Sequence, residues 1–182
     1  MSHPTRPLVA GALCLALASC APVADFWPPR SMAGAPVSPL RAPEDLIRGL
    51  FEAPDWEGTG GSREARLAWM TPELAEASLR LDAATDGIGV GMEPSVGSPY
   101  IHVTNARYDT RATPWGAEVR VRFLNTNQPR ETRFEMVMTE AGWRVADIVG
   151  TDPETGRTWR YTNLMAETFA AVARDEGPRD PS

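Results

Sequence analysis

The sequence has no lysine. All 18 basic residues are arginine, set against 24 acidic ones, for a net charge of −6. An acidic balance argues against a phosphate-backbone binder, which needs a basic face to release counterions, so no nucleic-acid partner is expected. Cysteine is scarce as well: Cys14 and Cys20 are the only two, and His3 and His102 the only histidines. Those counts exclude a zinc finger and a disulfide framework, and neither a metal nor a cofactor is expected. No apolar run reaches the roughly 18 residues that read as a permanent membrane span. There is no nucleophile elbow and no H-E-x-x-H pair. The glycine-rich stretch Gly87-Ile88-Gly89-Val90-Gly91 lacks the Lys-Ser/Thr of a phosphate loop and reads as a plain loop.

What is present begins with an address. The amino terminus and Arg6 precede an apolar run from Leu8 to Ala18, the length of a secretory h-region. Leu17-Ala18-Ser19-Cys20 then resembles the bacterial lipobox: an aliphatic residue, two small ones, then cysteine. The resemblance implies a diacylglycerol in thioether linkage to Cys20 and cleavage before it, with residues 1–19 as lipoprotein signal peptide. Cys14 would leave with that peptide. Ala21, where an aspartate would retain a lipoprotein at the inner membrane, implies an outer-membrane anchor facing the periplasm of a Gram-negative bacterium. Several acyl chains on one cysteine, palmitate among them, give stable anchoring where one chain is marginal. Residues 20–42 continue as the lipidated cysteine and a Pro/Ala-rich tether without period.

The folded domain is expected over residues 43–176, with a polar tail at 177–182. Pro43, Glu44 and Asp45 make a good helix start, and Leu46, Ile47, Leu50 and Phe51 fall on one stripe. Ser62 is placed to cap a short helix carrying Leu67 and Met70. Thr71-Pro72-Glu73 is a second clear start, with Leu74, Ala77 and Leu81 on its apolar side and Ser78 among them. Residues 87–99 read as a long loop.

From Tyr100 the period changes from 3.6 to 2. Ala117, Val119, Val121 and Phe123 alternate with charged residues, and Phe134, Met136 and Met138 alternate with Arg133, Glu135 and Val137. Trp143, Val145 and Asp147 alternate with Arg144, Ala146 and Ile148. Pairing Met138 with Trp143 brings Met136 to Val145 and Phe134 to Asp147. Pairing Arg122 with Glu135 brings Phe123 to Phe134 and Val121 to Met136. Tyr100 to Asp109 supplies a fourth strand, residues 153–158 a turn, and a last helix carries Tyr161, Leu164, Met165, Phe169 and Val172 on one side. The fold class is therefore α+β: N-terminal helices, a curved antiparallel sheet of about four strands, and a C-terminal helix.

The strand Gly142-Trp143-Arg144-Val145-Ala146-Asp147-Ile148 resembles a Trp-basic-hydrophobic-x-Asp-Ile signature. It is found in small bacterial envelope proteins of the nuclear-transport-factor-2-like (cystatin-like cone) superfamily. Within that superfamily, a domain-of-unknown-function group that includes lipoproteins also has a Thr-Pro-Glu-Leu helix start, here Thr71-Pro72-Glu73-Leu74. It has an acidic-Pro segment too, here Glu93-Pro94. The likeness spans roughly residues 43–172 and departs at Ser98-Pro99, where the group has Gln-Asp. It implies a cone-shaped domain with a hollow, and no established activity.

Candidate chemistry is sparse. By strict alternation Asp147 faces the apolar side, where cone-fold isomerases and dehydratases keep a pocket acid. His102 and Tyr108 join it if strand one turns the same way. Phe123, Phe134, Met136, Trp143 and Val145 are the expected pocket lining. Arg120, Arg122, Arg133 and Arg144 read as a solvated outer ladder with Glu118 and Glu135. Three functions remain open. The first is a non-catalytic binding or interaction module anchored to the membrane, for an envelope protein or an apolar ligand, with a homodimer possible. The second is a small isomerase- or dehydratase-like enzyme using Asp147. The third is a structural envelope protein.

Overall fold

The computed structural model describes residues 42–53 and 58–175. The expected signal peptide, Cys20, the tether and the polar tail lie outside the described residues.

Three helices come first. α1 (Pro43–Glu52) begins with proline at its first position and acids in its first turn, and it buries Leu46 and Ile47. α2 (Arg63–Leu67) is capped by Ser62, whose hydroxyl accepts the Ala65 N–H at 3.2 Å. α3 (Pro72–Ala84) is capped by Thr71, whose hydroxyl accepts the Leu74 N–H at 3.3 Å. Each cap satisfies a backbone donor that has no partner inside the helix.

Five antiparallel strands follow in a meander: β1 (Val103–Thr113), β2 (Gly116–Asn125), β3 (Gln128–Thr139), β4 (Gly142–Thr151) and β5 (Thr158–Arg160). α4 (Tyr161–Asp175) closes the chain. The first three connections are two-residue hairpins. In the second, Thr126 and Asn127 both have positive φ, of 50° and 64°. That backbone twist matches the twist of the paired strands.

The register departs from expectation in two places. β2 and β3 pair four residues away from it: Val119 faces Phe134, Ala117 faces Met136, and Arg122 faces Glu131. The tight turn at Thr126–Asn127 dictates this pairing, and because the slip is even, every side chain keeps its face. Between β3 and β4, Met138–Trp143 and Met136–Val145 pair as expected. Phe134, however, meets Ile148, and Asp147 meets Glu135. Ala146 is the extra residue of a bulge, and one extra residue moves Asp147 to the outer face. The fifth strand occupies residues expected to form a turn and its exit.

The core lies between the helices and one face of the sheet. Phe134, Ile47, Met70, Leu81, Met136, Ile148, Val119, Val121 and Val145 are fully buried. Phe51 sets its ring edge-on to Phe123 at 5.5 Å, Phe134 at 5.9 Å and Tyr108 at 6.3 Å between centroids. β4 is tied to the helices by backbone: the Thr71 N–H donates to the Val145 carbonyl and the Val145 N–H to the Trp69 carbonyl, both at 2.8 Å. On the outer face Arg111–Glu118 and Arg122–Glu131 pair at 2.9 Å, and Arg120 lies 3.6 Å from both acids.

Removing the central ring should cost heavily. Phe134→Ala is expected to lower unfolding free energy by about 3–5 kcal/mol. Ile88→Ala, at a side chain 72% exposed, is expected to change it by less than about 0.5 kcal/mol. Chemical denaturation of both variants checks the contrast. Equal effects would contradict the placement of Phe134 in the core.

Candidate functional site

Asp147, His102 and Tyr108 do not converge. Asp147 is 5% exposed and fully engaged. Its Oδ1 accepts the Ile148 N–H at 2.8 Å and the Thr162 N–H at 3.2 Å. Its Oδ2 accepts the Thr162 hydroxyl at 2.8 Å and Arg160 Nε at 2.9 Å. Arg160 also bonds Glu135. The carboxylate thus joins β4, β5 and the first turn of α4, with its charge matched by an arginine. A pocket acid needs an open coordination site, and this one has none.

Tyr108 sits three strands away on β1, about 14 Å off at the usual strand spacing. Its ring lies under the Arg48 guanidinium at 4.1 Å and edge-on to Phe51. Its buried hydroxyl has no hydrogen-bond partner among the described residues. Burial raises its pKa, and the nearby Glu52 charge adds to the shift. The His102 side chain is exposed ahead of β1. Its backbone N–H donates to Asn125 Oδ1 at 2.7 Å, and its carbonyl accepts the Thr126 N–H at 3.1 Å. His102 therefore holds the strand start to the second hairpin.

The expected pocket lining is core. Phe123, Phe134, Met136, Trp143 and Val145 are all buried and packed into the apolar cluster, and they line none of three depressions on the surface of the described residues. The helices press directly onto the sheet, so these side chains fill the space where a hollow was expected.

Polar groups gather elsewhere, in a recess of about 160 Å³ lined by Thr59, Arg66, Asp82, Gly89, Glu93 and Tyr161 among others. Arg66, on the buried side of α2, is 3% exposed. It donates to the Gly61 carbonyl at 3.2 Å, to Ser78 Oγ at 2.5 Å and to Asp82. Ser78 Oγ bonds Tyr161 Oη at 2.8 Å, which links α3 to α4. Glu93 receives four bonds. Thr59 gives its N–H at 2.7 Å and its hydroxyl at 2.9 Å; Ser95 gives its N–H at 2.9 Å and its hydroxyl. Gly58, at φ +80°, leaves the space: a Cβ there would lie 2.2 Å from Glu93 Oε2.

Burial pushes the Glu93 carboxyl up from its ordinary value, and the four donors offset only part of that. Burial likewise raises Tyr161, against the pull of the Ser78 and Thr59 hydroxyls. The recess has room for about five waters at ~30 Å³ each, well below the ~300 Å³ of a small-molecule pocket. Its polar groups are spent on one another. It works chemically as a staple between the loops at residues 58–61 and 93–98 and helices α2, α3 and α4.

Two shallower depressions hold about 530 Å³ each. One is mostly apolar and runs between Leu67, Met70, Pro72, Val137 and Ala141. The other lies between Asp152, Arg157, Trp159, Asn163 and Glu167. Among the described residues no group of three or more His, Cys, Asp or Glu is placed to hold a metal ion. No helix among them is long and apolar enough to cross a membrane. Glu93 and Ser78 both stand out in the sequence, but nothing there joins them to their partners, Thr59 and Ser95 for Glu93 and Arg66 and Tyr161 for Ser78. Arg66 in a capped helix is the one local signal, and its partners come from far along the chain.

Comparison with family models, curated proteins and solved structures finds no match to this chain.

The folded state holds the Glu93 proton more tightly than the unfolded chain, so its contribution to stability is full below the ordinary carboxyl value and is lost as pH rises from there through the raised folded one. Glu93→Gln is expected to be less stable than the parent at pH 4, with the gap narrowing by pH 7. Denaturant titrations at both pH values check this. A widening gap would mean that the four donors, and not burial, govern the carboxyl.

Proposed function

We propose that this chain is a lipid-anchored protein of the Gram-negative outer membrane whose cone-type, nuclear-transport-factor-2-like domain is a non-catalytic binding module working through its surface. The single observation that carries the non-catalytic part is the packing of Phe123, Phe134, Met136 and Val145 against the helices. A filled interior leaves the surface, with its two depressions of about 530 Å³, as the place where a ligand or partner can bind. The tying of Asp147 to Arg160 and Thr162 supports the same reading.

The anchor rests on Leu17-Ala18-Ser19-Cys20 and Ala21. The cone assignment rests on element order and on the Trp143-to-Ile148 strand, in which Trp143 is buried and Asp147 secures the closing helix. A tethered domain of this kind meets its partners at the membrane surface.

Expression of the full chain in a Gram-negative host tests both parts. Intact-mass analysis is expected to show residues 1–19 removed and a diacylglycerol on Cys20, and Cys20→Ala is expected to move the protein from the membrane to the soluble fraction. Crosslinking in the intact envelope is expected to give a discrete protein adduct. An unmodified Cys20 with the leader still attached would overturn the anchor; absence of any adduct would overturn the interaction module.

A further inference from the structure

Among the described residues the sheet has one long open edge. β4 is covered along its outer side by the bridge between Met70 and Val145 and then by β5, whereas β1 pairs only with β2 among the described residues. An unpaired edge of this length is a template for another strand. We propose that the strand it takes is β1 of a second copy of this chain, paired antiparallel about a two-fold axis at Thr110.

The backbone allows this register. Thr113 and Gly116 close a two-residue hairpin. In such a hairpin the closing pair exchanges hydrogen bonds, so alternation turns the N–H and C=O of Tyr108, Thr110 and Ala112 to the free edge. With the axis at Thr110, those three positions meet Ala112, Thr110 and Tyr108 of the second copy, for about six backbone hydrogen bonds.

Charge selects the same register. Asp109 and Arg111 share the outer face and are both exposed. The axis at Thr110 sets Asp109 opposite Arg111 of the second copy, twice, in the closely spaced non-hydrogen-bonded pairs where cross-strand charges interact best. An axis at Asp109 would oppose Arg107 to Arg111 and Asp109 to itself. An axis at Tyr108 would pair Arg107 with Asp109 but run the strands past Asn105, where φ is +55° and the β1–β2 register shifts. Only the Thr110 axis keeps residues 107–113 of both copies in regular pairing with opposite charges facing.

The surrounding residues fit. Asp109 has no ion pair or hydrogen bond with the described residues, while Arg111 reaches Glu118 at 2.9 Å with its side chain 59% exposed. Trp115, at the hairpin tip, is 63% exposed and comes beside the Asn105–Arg107 segment of the second copy. On the helix side Glu44 accepts from Thr110 at 3.1 Å near the axis, and Arg48 at 2.7 Å neutralises its charge. The product is one continuous sheet with the helices of both copies on the same side. The pairing uses β1 alone and stands whether or not Cys20 is lipidated.

The test is the mass in solution of the full chain, purified from cells in mild detergent, by analytical ultracentrifugation at tens of micromolar. A dimer is expected. Asp109→Arg and Arg111→Glu each place like charges opposite one another and are expected to weaken association at least tenfold. Mixing the two variants restores opposite charges and is expected to recover a heterodimer of parental affinity. Thr110→Pro removes an outward N–H that the β1–β2 ladder does not use, and is expected to give a monomer with its melting transition retained. A parental monomer, which another protein on this edge would produce, overturns the proposal. A dimer indifferent to all three substitutions also overturns it.

Discussion

Everything in this structure is arranged around β4. Its Val145 takes part in the β3 ladder on one side and exchanges backbone hydrogen bonds with Trp69 and Thr71 on the other. Those two contacts fix where α2 ends and α3 begins. One residue later the bulge at Ala146 reverses the alternation. Val145 and Ile148 both remain in the core while Asp147 turns outward to hold β5 and α4. A strictly alternating strand cannot do both. The bulge lets one strand close the apolar layer and anchor the last helix.

A second, polar layer holds the helices in place. Arg66, Ser78, Tyr161, Thr59, Glu93 and Ser95, with the partly exposed Asp82, consume each other's donors and acceptors. Buried charge is costly to desolvate, so such a network contributes less net stability than its bond count suggests. Its consequence is geometric. Breaking one member leaves another buried and unpaired, which penalises alternative packings of α2, α3 and α4. The recess beside it is what remains of the space between these elements and the loop at residues 87–94.

Local signals carried the helices. Proline at the first position and the Ser62 and Thr71 hydroxyls announced three helix starts, and each begins where they stand. Alternation gave the strands and their faces, including the buried side of β2 and β3. Register was legible only to the extent that an even slip conserves faces. The turn at Thr126–Asn127 has neither glycine nor proline, so the local sequence does not mark its position. The bulge at Ala146 has no local signature at all, and strict alternation without it places Asp147 on the apolar face. The polar recess was hidden for a different reason: Glu93 and Thr59 are 34 residues apart and Ser78 and Tyr161 are 83 apart, and composition says nothing of such meetings.

The central claim is that the space between helices and sheet is solid, so that the domain acts through its outside. Methyl-resolved NMR of the full chain with a long-chain fatty acid as apolar probe tests it most directly. The account predicts no intermolecular contacts from the probe to the Met136, Val119 or Ile148 methyl groups, which are fully buried. Contacts between the probe and these methyls would place a ligand inside the sheet and contradict it.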